Sequence, residues 1–302
     1  MTDFIPPMKA KLADEVFLTS IDDDPTWVAG EKFDGFREQL HLLTTGNELL
    51  SSEGNSHIAG VPQFKTLVPT LHDTILDSEG MAPTRRLEDN STCFKVVAHP
   101  EDAIAWQDEH GMAFLVIFDI LRYKGLDTVD LPFYKRRVLL ESAFKELTRY
   151  CLFNTQVRLE RLVVKGKLQY FREIVARTKV EGHEGIVLKD LGAAYKPGRK
   201  GNAWLKVKRY ETLVYRIAGF LSSGSTDKYA GQIGSIVYGD NIGSASGIDD
   251  DTRLDMTKYP EKYVGKLAWF ECQEITDMGV MRSPRFKGLL TPEEVKRYES
   301  TV

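Results

Sequence analysis

The chain has 302 residues, enough to bury a large core and to form two domains rather than one. Its 42% hydrophobic and 28% charged residues are ordinary for a soluble globular protein, and no apolar run approaches the roughly 20 residues of a membrane span. The net charge of −4 argues against an overall basic nucleic-acid binder, so any such surface must be local. Met1 to Pro7 lacks the basic start and apolar stretch of a signal peptide. Cys93, Cys151 and Cys272 are scattered and odd in number, which speaks against a disulfide framework and a four-cysteine zinc site. The six histidines show no metal-ligand spacing. A reducing cytoplasm is the expected compartment.

In chain order, Asp22-Asp23-Asp24 reads as an acidic turn. Glu31-Lys32-Phe33-Asp34-Gly35-Phe36-Arg37 follows. Lysine attacks well only when burial or neighbouring cations favour its neutral amine, and an arginine five residues later can hold a phosphate through two parallel hydrogen bonds. Asp34-Gly35 fits a tight turn between strands. Alone, these seven residues also fit a charged hairpin tip in solvent.

Pro100 to Gly111 predicts a short helix, with proline near its start and glycine at its stop. Phe114–Phe118 is a continuous apolar run and predicts a buried strand. Lys135 to Cys151 is helical, with Leu140, Ala143, Phe144 and Leu147 at helix spacing. Gly185–Leu188 predicts another buried strand. Trp204 to Tyr210 alternates, placing Leu205 and Val207 on one face and Trp204, Lys206 and Lys208 on the other. Two stretches are rich in cations: Arg158 to Lys179, and Lys196 to Arg209, which holds six and no acid. Strands and helices in this irregular order predict a mixed α+β domain. After residue 211 the texture changes to short apolar strands (Tyr215–Leu221, Gly234–Tyr238, Leu267–Gln273). They are separated by Gly, Ser and Asp clusters such as Ser222–Ser225 and Asp249-Asp250-Asp251. No helix is expected there before Pro292. This predicts a small β-barrel, with domains over 1–210 and 211–302.

These residues resemble the ATP-dependent DNA ligases, within the covalent nucleotidyltransferases. Lys32-x-Asp34-Gly35-x-Arg37 is similar to the adenylation motif, and Asp77-Ser78-Glu79 to the family's Asp-Gly-Glu. Phe118-Asp119, Lys135-Arg136-Arg137, Glu184-Gly185-Ile186-Val187-Leu188-Lys189, Trp204-Leu205-Lys206-Val207-Lys208 and Arg282-Ser283-Pro284-Arg285-Phe286 follow in the family's order. Tyr195-Lys196-Pro197-Gly198 is also similar.

The resemblance implies a nucleotidyltransferase (adenylation) domain followed by an OB-fold β-barrel. It implies that Lys32 attacks the α-phosphate of ATP and that Lys206 and Lys208 supply cations around the phosphates. Glu184 would hold Mg²⁺ or Mn²⁺. Glu79 would bond the ribose, backbone near Glu31 would read adenine, and Arg37 would contact the nucleotide or the 5′-phosphate of a nick. Lys189 belongs to the same set, although strand parity sets it opposite Glu184. Phe118 is either core or the ring under adenine. Arg136 and Arg137 fit a solvated helix start as well as a site. Arg282 and Arg285 would orient departing pyrophosphate. The implied partner is nicked double-stranded DNA, gripped by a monomer with no membrane involvement, its two domains closing on the duplex through phosphate contacts. With 31 residues before Lys32, no large N-terminal DNA-binding or NAD-recognition domain is expected. An RNA ligase, an mRNA-capping nucleotidyltransferase and a non-catalytic nucleic-acid-binding relative are the alternatives. Two departures stand out. Ser52 occupies the place of an arginine in the family's Ser-Arg-x-Gly segment, and no Asp-Lys follows Lys287.

Overall fold

The computed structural model describes all residues except 1–3, 86, 95–98, 150–154, 182, 225–227, 241, 276–278 and 301–302. Met1 to Asp3, Cys151 and Ser225, each named above, therefore lie outside the described residues. The chain divides into two compact units, Met1–Lys208 and Arg209–Val302.

The first unit holds two sheets. One runs β1 (Lys9–Leu12), β11 (Lys200–Lys208), β10 (His183–Asp190), β2 (Trp27–Phe33), β9 (Leu162–Val163). The other runs β4 (Glu48–Ser51), β3 (Phe36–Leu42), β5 (Thr74–Met81), β6 (Phe114–Tyr123), β7 (Leu126–Asp127), with β8 (Val157–Leu159) parallel to β6. Between them in sequence lie α1 (Glu15–Ser20), α2 (Leu87–Phe94), α3 (Pro100–His110), α4 (Phe133–Leu147) and α5 (Lys167–Glu181).

Side-chain alternation assigns the faces of the first sheet. Ala29, Ile186, Leu188, Leu205 and Val207 pack with Leu18 of α1 and Phe171 and Ile174 of α5. Full burial of each such side chain stabilises the unit by roughly 1.5–3 kcal/mol. Trp204, of opposite parity, packs instead with Ile75 and Phe118 of the second sheet. Lys206 and Lys208 share the side of β11 that carries Trp204, as the alternation predicts.

At four places tertiary contacts refine the local expectations. Asp34-Gly35 is a turn, but it joins strands of different sheets rather than forming a hairpin tip. Gly35 is needed for space, because an added Cβ would overlap the Gly80 carbonyl. Asn90 of α2 pins this turn, donating to the Asp34 carbonyl at 2.8 Å while accepting from the Ala82 N–H at 2.6 Å. The Asp22–Asp24 turn is a clasp around buried Lys167, whose ammonium donates to the carbonyls of Ile21, Asp22 and Asp24 at 3.0, 2.8 and 3.0 Å. The cation-rich 158–179 stretch thus includes a buried lysine. Finally, α4 starts at Phe133 and its Arg136 is fully buried, with its fork on Asp119 at 2.9 and 2.8 Å.

The second unit is a curled five-stranded sheet in the order β14 (Gly243–Ala245), β13 (Ile233–Tyr238), β12 (Glu211–Ser222), β15 (Leu267–Cys272), β18 (Arg285–Leu289). A bridge between Ser246 and Arg285 joins the two edges and closes a barrel. The Phe286 N–H donates to the Ser246 carbonyl there at 2.7 Å. Ile217, Ile236, Tyr238, Phe270 and Phe286 fill the interior. The short strands β16 (Glu274–Ile275) and β17 (Met281–Arg282) pair with each other, and α7 (Pro292–Glu299) starts at a Thr291–Glu294 capping box. Contrary to expectation, α6 (Asp250–Lys258) lies within the barrel sequence. The acidic run that suggested a turn is its start. Asp249 caps the Thr252 N–H at 2.9 Å, with Asp250 and Asp251 in the first turn, where the positive end of the helix dipole favours them. Met256 of α6 enters the barrel core.

Candidate functional site

A cavity of about 290 Å³ lies in the first unit and is bordered by residues of both sheets. Lys32, Lys189, Trp204 and Lys206 come from the first sheet; Glu79 and Phe118 come from the second.

Register builds its charged end. Gly185 of β10 pairs with Lys32 of β2 on one side and with Lys208 of β11 on the other. Strict alternation would send Glu184 to the helix-covered face with Ile186 and Leu188. Pairing slips between His183 and Gly185 instead, and Gly185 sits at φ +139°, where an added Cβ would overlap the Val207 carbonyl. This bulge turns Glu184 onto the cavity side, where it forms ion pairs with Lys32 and, at 3.0 Å, with Lys208. Burial opposes ionisation of Glu184, but Lys32 and Lys208 outweigh it and hold the carboxyl down at about 2. Burial pushes Lys208 and Lys206 below the usual lysine range. Glu184 counters this at Lys208, whereas Lys208 and Lys32 reinforce it at Lys206.

The sign of the Glu184 shift gives a first prediction. A carboxyl lowered from 4.5 to about 2 in the folded state contributes stability that is full above pH 4.5 and lost as the pH falls toward 2. Acid unfolding of Glu184→Gln, followed by circular dichroism, is therefore expected to be less pH-dependent across that window than wild type. Parallel curves would refute the assignment.

Glu79, opposite Arg37 in the β3–β5 ladder, borders the cavity, and burial pushes its carboxyl up to about 7 against the pull of Lys32 and Arg37. Arg37 lines the cavity as well. Its fork lies on buried Asp77, with Nε and Nη2 each at 2.6 Å. Its guanidinium carbon stands 4.5 Å from the centre of the Phe118 ring. Tyr195 donates to Asp77 at 2.8 Å and accepts from the Met8 N–H at 2.8 Å, so one hydroxyl ties the start of β1 to the second sheet. Phe118 is only 7% exposed, meets Trp204 edge to face, and still borders the cavity. It is thus core on one side and cavity wall on the other. Glu31 borders the cavity too, but it has the parity of Ala29 and helps push the α5 residue Tyr170 up to about 12, after burial itself.

Lys189 is buried at the cavity wall and donates to Glu160 at 2.5 Å. Burial raises Glu160 and lowers Lys189, each partly restored by the other. Glu160 belongs to none of the motifs, and its signal in the sequence is indirect. It needs Gly30, two residues before Lys32, because a Cβ there would overlap its carboxylate. Gly30→Ala is expected to break this pair and destabilise the chain by about 1–3 kcal/mol, read as a lowered denaturant midpoint; an unchanged midpoint would contradict the role given to Gly30.

Ser52 is exposed at the cavity, with its hydroxyl on Glu53 at 2.7 Å. Arg282 and Arg285 belong to the second unit, half-buried in β17 and exposed on β18 respectively. Among the described residues no group of three or more His, Cys, Asp or Glu is placed to hold a metal. Glu184 and Glu79 are the carboxylates that face Lys32. That donor set fits a divalent cation of the Mg²⁺ kind, which takes one or two protein carboxylates and completes its shell with water and substrate phosphates.

A model of the ATP dependent DNA ligase domain matches residues 7–208. The chain is 28% identical over 320 residues to a "Probable DNA ligase" of Sorangium cellulosum and 26% identical over 327 residues to a "DNA ligase" of Methanocorpusculum labreanum. Each alignment takes in 97% of this chain and 57% of the relative, so the chain spans little more than half the length of these relatives. A Lig E DNA ligase structure superposes with a TM-score of 0.68 at 16% identity, covering 95% of this chain and all of that one. At that identity the likeness concerns the fold, a nucleotidyltransferase domain followed by an OB-fold barrel. With the match over 7–208, the chain belongs to the ATP-dependent DNA ligase domain family.

Proposed function

We propose that this chain seals nicks in double-stranded DNA at the expense of ATP, through an adenylate carried on Lys32. The observation that carries this reading is the convergence of Lys32, Glu184, Lys206 and Lys208 beside a cavity whose wall includes Lys32, Lys206, Glu79 and Phe118. Phosphoryl transfer needs little from a protein beyond alignment and cations around the moving charge, and this cluster offers both.

In the first step Lys32 gives up its ammonium proton, Nζ forms a bond to the α-phosphorus and loses a second proton, the bond to the β-phosphate bridge breaks, and pyrophosphate leaves. In the second, a 5′-phosphate oxygen of the nick bonds to the same phosphorus, the Lys32 N–P bond breaks, and the departing nitrogen takes up a proton. In the third, the 3′-hydroxyl attacks the 5′-phosphorus, its proton is lost, and AMP departs. Lys206 and Lys208 hold the phosphate oxygens. Glu184 would hold a divalent cation together with those oxygens, and the cation supplies further charge neutralisation. Glu79 takes the ribose hydroxyls, the Glu31 backbone the adenine edge, Phe118 one face of the base, and Lys189 the inner wall. Arg37 acts in place on Asp77, shaping the floor.

Incubation with a nicked duplex, ATP and Mg²⁺ is expected to give sealed DNA, with GTP or NAD failing to replace ATP. Sealing of RNA strands alone, or no sealing with ATP, would overturn the proposal.

A further inference from the structure

One buried hydroxyl beside the cavity has no part in the three steps above. Tyr195 lies in the segment 191–199 that joins β10 to β11 and is only 2% exposed. Three groups share its hydroxyl. It donates to the buried Asp77 carboxylate at 2.8 Å, accepts from the Met8 N–H at 2.8 Å, and lies 3.4 Å from Nη2 of Arg37. Burial and the Asp77 charge push the phenol well above its usual range, so it keeps the proton that it donates. Two of the three groups belong to residues that border the cavity. Arg37 does so with its fork on Asp77. Met8 does so with Pro7, Lys9 and Ala10, as part of an N-terminal strap that runs into β1. The strap has other ties. The Pro6 carbonyl accepts from the Gly198 N–H at 2.8 Å, the Ile5 carbonyl accepts from Gln39 at 2.5 Å, and the Lys9 N–H donates to the Arg199 carbonyl at 3.0 Å. The Tyr195 hydroxyl is the tie that also reaches Asp77 and Arg37.

We infer that Tyr195 is a positioning residue for nucleotide binding, its hydroxyl coupling the seating of the strap to the aim of Arg37. Side chains around a ligand hold their places only when neighbours lock them there. Without the hydroxyl, Asp77 loses a donor and the Met8 N–H loses its acceptor. A buried polar group left without its partner is costly, so both sides relax. The Arg37 fork shifts with Asp77, and the strap loosens along the cavity wall. The cluster of Lys32, Glu184 and Lys208 lies outside this network, so the bond-making step is spared. This inference rests on the proposed adenylation of Lys32.

The test compares wild type with Tyr195→Phe, which keeps the ring and its edge-to-face contact with Trp204 at 5.7 Å. Initial rates of Lys32 labelling are measured against the concentration of α-labelled ATP. The variant is expected to raise KM for ATP roughly tenfold, as the loss of one hydrogen bond to a charged group gives. The rate at saturating ATP should stay within about threefold of wild type, because a positioning defect weakens binding and leaves the chemical step intact. A second measurement needs no variant: amide hydrogen exchange of residues 5–12 in wild type, with and without AMP. AMP is expected to slow exchange across this strap. An unchanged KM, a fall in the saturating rate with KM unmoved, or strap amides indifferent to AMP would each overturn the inference. Absence of label on wild type would instead sink the adenylation reading on which it stands.

Discussion

Glu184→Gln is expected to slow nick sealing by about 10²- to 10³-fold, the usual loss when one preorganised charged contact to a developing phosphate charge is removed. Glutamine keeps the shape of the side chain, so the bulge at Gly185 and the β2–β10–β11 register survive. What goes is the single negative charge between Lys32 and Lys208. Lys32, Lys206 and Lys208 then converge with no acid between them, and each has more freedom to turn away. One of the two carboxylates available to a divalent cation is lost at the same time. The effect should appear both in labelling of Lys32 by ATP and in single-turnover sealing. Rates within threefold of wild type, with the variant folded, would show that Glu184 is only a structural counter-ion.

The second large effect concerns stability. Arg136 and Asp119 are both fully buried, and the Arg136 fork lies on the Asp119 carboxylate. Replacing a buried pair by apolar groups can be neutral, but removing one partner leaves an unpaired buried charge and typically costs about 3–5 kcal/mol. Arg136→Met keeps most of the stem and removes the fork. For a unit of this size that cost corresponds to a drop of roughly 6–20 °C in the melting temperature. Arg136 also donates to the carbonyls of Leu131 and Ala193 at 2.5 and 3.1 Å, so the loss reaches the segment that carries Tyr195. A shift below about 2 °C would contradict this account, since it is what roughly 1 kcal/mol or less would give.

These two positions illustrate what a sequence discloses. Lys206 and Lys208 were placed on one face by strand alternation, a local rule that the register of β11 obeys. Glu184 defeated the same rule, because one glycine at φ +139° lets the strand skip a position and brings Glu184 to the side that Lys189 reaches by alternation. Arg136 fits a solvated helix start as well as a site in the sequence, because its partner, Asp119, lies on a different element. Glu160 was invisible for the same reason: its meaning comes from Lys189 and from the space left at Gly30. The Asp249–Asp251 run held a helix cap that looked like a turn, since the same residue types favour both. The layered architecture was legible from short apolar runs, whereas the buried ion pairs that lock the sheets were not, since each depends on two segments meeting.

The central claim is that Lys32 carries AMP and passes it to a nick. Intact-mass measurement after incubation with ATP and Mg²⁺, with peptide mapping before and after a chase with nicked duplex, tests it most directly. The account predicts one adenylyl group on Lys32 that disappears when the nicked duplex is added, as sealed strand and AMP form. An unmodified chain, an adduct on another residue, or an adduct that persists through the chase would contradict it.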